Sequence, residues 1–188
     1  TGVTNTNTRP ADLTAGGAAA ASGGNVERSV SARFGSKASP ELAYRVYGKA
    51  FEREAMDLES GASARDDWRK IQGGFRVDWT GAHDDITTQG DIYRGEIEQP
   101  DVRDVDLKGA NVLARWQHRT ARSDIQVQAY HDRTERAQPI DGAAFVLHTY
   151  DIELQQRIDA GRRHRIVWGA GSRWHDYEIE GSQSLLFE

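Results

Sequence analysis

From Arg28 onward, apolar and polar residues alternate with a period of two, the spacing of a strand with one apolar face. The first such stretch sets Val30, Ala32 and Phe34 against Ser29, Ser31 and Arg33. The second sets Leu42, Tyr44, Val46, Gly48 and Ala50 against Arg45, Tyr47 and Lys49. The third alternates Ile71, Gly73, Phe75, Val77 and Trp79 with Gln72, Gly74, Arg76 and Asp78, and the fourth Ile86, Thr88, Gly90 and Ile92 with Gln89, Asp91 and Tyr93. Ala110, Val112, Ala114 and Trp116 oppose Asn111, Leu113, Arg115 and Gln117, and Ile125, Val127 and Ala129 oppose Gln126, Gln128, Tyr130 and Asp132. Tyr150, Ile152, Leu154 and Ile158 then oppose Asp151, Glu153, Gln155 and Arg157. Last, Ile166, Trp168, Ala170 and Trp174 oppose Val167, Gly169, Gly171 and Arg173, which makes eight predicted strands.

The connections between them sort into two kinds. The segments 36–41, 80–85, 119–124 and 159–164 are short and rich in turn residues, and they alternate with long segments at 52–68, 95–108 and 132–148. Tight turns on one side and long loops on the other are the rhythm of an up-and-down antiparallel β-barrel. A propeller blade has a similar repeat length but needs four strands where two are counted here. Residues 29–188 are therefore expected to form all-β, up-and-down barrel strands. Residues 1–28 differ: a polar strand around Val3–Asn7 is followed by a Gly/Ala-rich stretch that reads as a flexible linker, with Ala18–Ala21 a weak helix candidate.

Composition narrows the classes. With 24 basic and 29 acidic residues the net charge is −5, against a general nucleic-acid-binding surface. No cysteine is present, which removes disulfides, thiolate metal sites and cysteine nucleophiles. No apolar run is long enough for a spanning helix, but barrel strands alternate and escape that criterion. Hydrophobic residues are 37% of the chain, and the apolar faces are rich in Ala, Gly and singly placed aromatics, thin packing for a core but acceptable against lipid. Tyr44, Trp79, Trp116, Tyr150 and Trp174 are expected near strand ends on that face, where an interfacial aromatic girdle belongs. The opposite face carries Arg33, Arg45, Lys49, Arg76, Asp78, Asp91, Arg115, Asp132, Asp151, Glu153, Arg157 and Arg173, a mixture suited to a water-filled or plugged lumen. The single methionine is Met56 and the chain opens on Thr1, so a fragment or processed product is expected.

At this point a resemblance carries further. GVTNTNTRPAD resembles the closing plug strand of TonB-dependent outer-membrane receptors, and GGNVERSVSARFGSKASPELAYRVYGKAFER looks like the first barrel hairpin of that family. The segments GGFRVDWTGAHDDITTQGDIYRGE, ANVLARWQHRTARSDIQVQAYHDRTER and YDIELQQRIDAGRRHRIVWGAGSRWHD are similar to the next three hairpins, in the right order. Thr4-Asn5-Thr6 stands where relatives carry Ile-Asn-Ile, so the plug strand is unusually polar. The resemblance implies a large plugged barrel in the outer membrane of a Gram-negative cell. Such receptors take up a scarce nutrient (ferric siderophore, cobalamin or sugar) and draw energy from TonB through an N-terminal box that is not in this sequence. This chain would be the end of the plug and the first third of the barrel wall, with lipid and the remaining strands as its partners. Ligand contacts would come from the long segments and the region after Trp174, with no individual residue singled out.

Catalytic and metal chemistry is weakly signalled. His83, His118, His131, His148, His164 and His175 show no HExxH spacing, so no metal site or cofactor is assigned. His131 with Asp132 and His175 with Asp176 are the pairs to test first. Asp151 and Glu153 share a face at ~7 Å, a distance a glycosidase could use, but nothing supplies a shielded pocket. Asp101, Asp104 and Asp106 lack the glycine and terminal glutamate of an EF-hand loop. GAGS at 169–172 lies within a strand pattern and opens no helix. No enzyme is expected. The alternatives are a stand-alone eight-stranded barrel holding one small ligand and, below it, a hydrolase using lumen carboxylates.

Overall fold

A computed structural model describes residues 8–99, 102–138, 143–161 and 163–181. The fold is all-β: one antiparallel sheet of nine strands in strict sequence order. The strands are β1 (Gly16–Gly23), β2 (Glu27–Lys37), β3 (Leu42–Arg53), β4 (Trp68–Thr80), β5 (Asp84–Gln99), β6 (Val102–Arg119), β7 (Ser123–Gln138), β8 (Ala143–Ala160) and β9 (His164–Glu180). Among the described residues a 3-10 turn at Asp12–Thr14 precedes them. The up-and-down order is the expected one, and every strand pairs with its sequence neighbour. Among the described residues β1 and β9 do not pair with each other, so the sheet has two open edges.

The register unites the predicted faces across strands. One row runs Phe34, Val46, Phe75, Gly90, Val112, His131, Tyr150, Trp174, each opposite the next. The row beside it on the other face runs Arg33, Tyr47, Gly74, Asp91, Asn111, Asp132, Thr149, His175. The apolar face is bare: Ile71 is 63% exposed, Ile92 67% and Trp174 55%. On the polar face, by contrast, the side chains of Arg76 and Asp78 are only 13% and 15% exposed. Burying an Ile or Phe side chain is worth about 1.5–3 kcal/mol, so in water this face forgoes that gain at position after position.

The structure corrects three expectations. The stretch 16–23, read as a flexible linker or weak helix, is β1, paired with β2 from Gly16↔Gly35 to Gly23↔Arg28. Ala and Gly do not alternate in polarity, so the strand leaves no periodic mark. What makes it a strand is the ladder offered by the free edge of β2. The long segments 95–108 and 132–148 are largely strand: β5 runs to Gln99, β6 starts at Val102, β7 runs to Gln138 and β8 starts at Ala143. Among the described residues of the three long segments, those at 54–67, between β3 and β4, stay outside the sheet, apart from a bridge between Asp57 and Ser63. Tyr150 and Trp174 consequently lie mid-strand, whereas Trp79, Trp116 and Trp168 lie close to the short turns. The polar strand expected around Val3–Asn7 and the residue Asp101 are outside the described residues.

Those extensions explain themselves once the faces are followed through. Beyond the row of His131, Tyr150 and Trp174, the apolar face turns charged: Glu52, Arg69, Glu96 and Asp106 lie opposite one another, as do Arg94, Lys108 and Glu135. Ion pairs lace them, Lys108 to Glu135 at 3.5 Å and Arg133 to Glu135 at 2.7 Å, with Arg69 also bonded to Glu96. The other face becomes apolar there, with Trp68, Ile97 and Val105 in register and Val105 fully buried. The hydrophobic side of the sheet thus changes over along the same strands, at a level marked by aromatic rings.

Candidate functional site

The most developed polar constellation lies where residues 8–14 cross the charged face of β2–β5. These residues meet the sheet with backbone groups. Asp78 accepts from the Ala11 amide at 2.7 Å, Arg33 donates to the Thr14 carbonyl at 2.8 Å, and Arg45 donates to the Arg9 carbonyl at 3.1 Å. Arg76 donates to Asp78 at 2.8 Å and to the Thr8 hydroxyl at 2.8 Å, and Thr87 donates to the other oxygen of Asp78 at 2.7 Å. Ala11, Thr14 and Ala43 are buried in this contact. Gly35 makes the approach possible, because a Cβ there would lie 2.7 Å from the Thr14 carbonyl oxygen. A backbone laid on charged side chains is satisfied group by group, which fixes its position without an apolar interface.

Next to it, Tyr47 donates to Asp91 and accepts from Gln72 at 2.8 Å. Gly74 leaves the room: a Cβ would stand 2.1 Å from Asp91 Oδ1, 2.6 Å from the Tyr47 ring and 2.8 Å from the Gly90 carbonyl. Gly74→Ala is therefore expected to break the Tyr47–Asp91 bond and to cost about 1–3 kcal/mol of stability, as overpacking does. Gly73→Ala, with its nearest atom at 3.5 Å, should cost far less. Denaturation midpoints of the two variants under one condition check this.

Past the aromatic level, the same face offers rings capped by cations. Phe51 and Trp68 pack at 4.6 Å between centroids with Arg53 over both, and the Lys70 ammonium lies 4.3 Å from the Tyr93 ring centre. Tyr93 in turn covers Gly109, where a Cβ would meet its ring at 2.4 Å. At the outer rim, Glu52, Asp67, Glu96, Glu98 and Asp104 share a cavity of about 170 Å³. A hydrogen bond with Asp67, and that neighbour's negative charge, push the Glu98 carboxyl above its usual range.

The residues singled out from sequence are arranged differently from their expected pairings. Asp151 is paired with Arg173 of the neighbouring strand at 2.8 Å rather than left to act with Glu153, and Arg157 reaches Asp124 at 3.4 Å. His131 and Asp132 point to opposite faces of β7, as do His175 and Asp176 on β9, because neighbours in a strand alternate. Neither pair can share a ligand. His131 meets His148 instead, nitrogen to nitrogen at 3.2 Å, and His175 bonds the Thr149 hydroxyl at 3.1 Å. His118 binds Asp84 at 2.8 Å. Among the described residues no group of three His, Asp or Glu is placed to hold a metal ion. Sequence reasoning missed the crossing of residues 8–14 because its bonds join backbone atoms to side chains far along the chain. The extra apolar face was marked, however, by the alternation at Val105 and Leu107 and at Phe145 and Leu147.

No protein-family model matches the chain, and no curated protein matches it.

Proposed function

We propose that this chain is part of an outer-membrane TonB-dependent receptor: wall strands of the barrel together with the end of the plug. The observation that carries the reading is the change-over of the hydrophobic side along β5–β9. A wall in lipid needs an apolar outer belt, flanked by aromatic residues and then by charges where water begins. The level of Tyr150 and Trp174 supplies the aromatic boundary, and the ion pairs of Glu135 lie beyond it. Among the described residues the apolar rows through Val30 and Val46 are left exposed, as an outer surface against lipid requires, while residues 8–14 lie on the polar side where a plug belongs. On this reading the open edges of β1 and β9 pair with further strands, and an imported nutrient contacts the ring-bearing rim above the plug. The nutrient class follows from the family alone.

Tryptophan quenching in vesicles tests the membrane placement. The chain is reconstituted with lipids brominated either near the headgroup or deep in the acyl chain, and single-tryptophan variants retain Trp116, Trp174 or Trp68. Trp116 and Trp174 are expected to be quenched strongly, more by shallow than by deep bromine, and Trp68 weakly. A monodisperse β-rich chain in plain buffer, with no quenching by either lipid, would overturn the reading in favour of a soluble ligand-binding barrel.

A further inference from the structure

We propose that His131 and His148 form a site for a divalent transition-metal ion, clamping β7 to β8 on the face that carries Val112 and Tyr150. The two residues lie diagonally across the strand pair: His131 is opposite Tyr150, and His148 is opposite Arg133. Strand alternation puts both rings on one face, and Nε2 of His131 is 3.2 Å from Nδ1 of His148. Two imidazole nitrogens bound to one tetrahedral ion at ~2.0–2.1 Å are separated by about 3.3–3.4 Å, so the spacing already fits a shared ion.

The surroundings hold this arrangement. The Tyr150 ring stacks on His131 at 4.6 Å between centroids with 17° between planes, which limits rotation of the imidazole. Both histidines are partly exposed, so an ion can enter and water can complete its coordination. With only two protein ligands, the preference follows imidazole chemistry: Cu²⁺ binds most tightly, and Ni²⁺ and Zn²⁺ less so. Arg133 from β7 and Asp176 from β9 flank His148 in register, one cationic and one anionic, so the two imidazoles and not a net local charge carry the site.

The test uses the untagged chain in detergent, titrated with Cu²⁺ and separately with Zn²⁺. Binding of Cu²⁺ is read by its electron paramagnetic resonance spectrum, and Zn²⁺ by competition with a chromophoric chelator. One ion per chain is expected, with nitrogen couplings from two imidazoles. His131→Gln and His148→Gln should each weaken binding by at least tenfold and leave one nitrogen coupling, whereas His164→Gln should change neither. Circular dichroism confirms that the variants keep their β content. Binding that is unaltered by either substitution, that depends on only one of the two histidines, or that does not occur overturns the proposal. This experiment does not depend on the membrane reading, since it succeeds or fails on a folded chain whatever its location.

Discussion

Val46→Arg is expected to lower the stability of the chain in lipid by about 2–4 kcal/mol, the cost of an arginine near mid-bilayer on the lipid face of a barrel. Val46 lies midway along the apolar run Leu42–Ala50, between Phe34 and Phe75, and is 47% exposed. Charge begins six residues further on in β3, at Glu52, but two residues past Trp174 in β9, at Asp176, so the shared row crosses the apolar belt obliquely, as tilted strands require. That run rises about 27 Å along the strand, close to the ~25 Å height of an outward apolar belt once tilt is allowed for. The matching substitution on the other face, Gln126→Arg, is expected to cost less than about 0.5 kcal/mol, since Gln126 lies between Gln117 and Gln155 on the polar side. Urea unfolding in the same vesicles measures both. The sign in water discriminates between readings. On a solvated sheet Val46→Arg would change stability by no more than about 0.5 kcal/mol and would reduce aggregation. Equal effects of the two substitutions in lipid would remove the apolar face from the bilayer.

The parts of this architecture that were legible in sequence share one physical origin. Period-two alternation marks a strand whose faces meet different environments, and it assigned Val46, Phe75 and Val112 to one side and Arg76, Asp91 and Asp132 to the other, as the register has them. The same logic hides whatever does not alternate in the expected sense. β1 is built from Gly and Ala, which carry no polarity contrast. In the extensions of β5–β8 the alternation persists but its meaning changes, because the side that is apolar lower down turns charged beyond Tyr150 and Trp174. A reader who expects one apolar side then takes Glu96, Asp106, Lys108 and Glu135 for loop residues, although each keeps its place in the ladder. The histidine pair was hidden for another reason: His131 and His148 are brought together by register across a hairpin, and adjacency in sequence selects the wrong partners, Asp132 and Asp176.

Asp78→Ala is expected to release residues 8–14 from the sheet while leaving the strands in place. Asp78 is the hub of that contact, accepting from the Ala11 amide, Arg76 and Thr87 at once. Removing it leaves the little-exposed Arg76 guanidinium without its carboxylate and the Ala11 amide without an acceptor. Loss of one partner from a buried ion pair costs about 3–5 kcal/mol, and the remaining exposure here favours the lower figure. A local change of about 3 kcal/mol is roughly a hundredfold in the opening equilibrium. Amide exchange at Ala11 should therefore accelerate by that factor, while exchange at Val127 in β7 stays unchanged. Asp78→Asn keeps one acceptor oxygen for the Ala11 amide and gives up the charge and the second acceptor, so its acceleration should be several times smaller. Arg33→Lys is the complementary probe, because a lysine can still reach the Thr14 carbonyl as a single donor without the guanidinium fork. If Ala11 exchanges at the same rate in Asp78→Ala as in the parent chain, the segment is held by its termini and Asp78 is only one of its neighbours. If Val127 accelerates in parallel, the sheet and the segment open as one unit, and the plug-like contact is part of the stability of the wall itself.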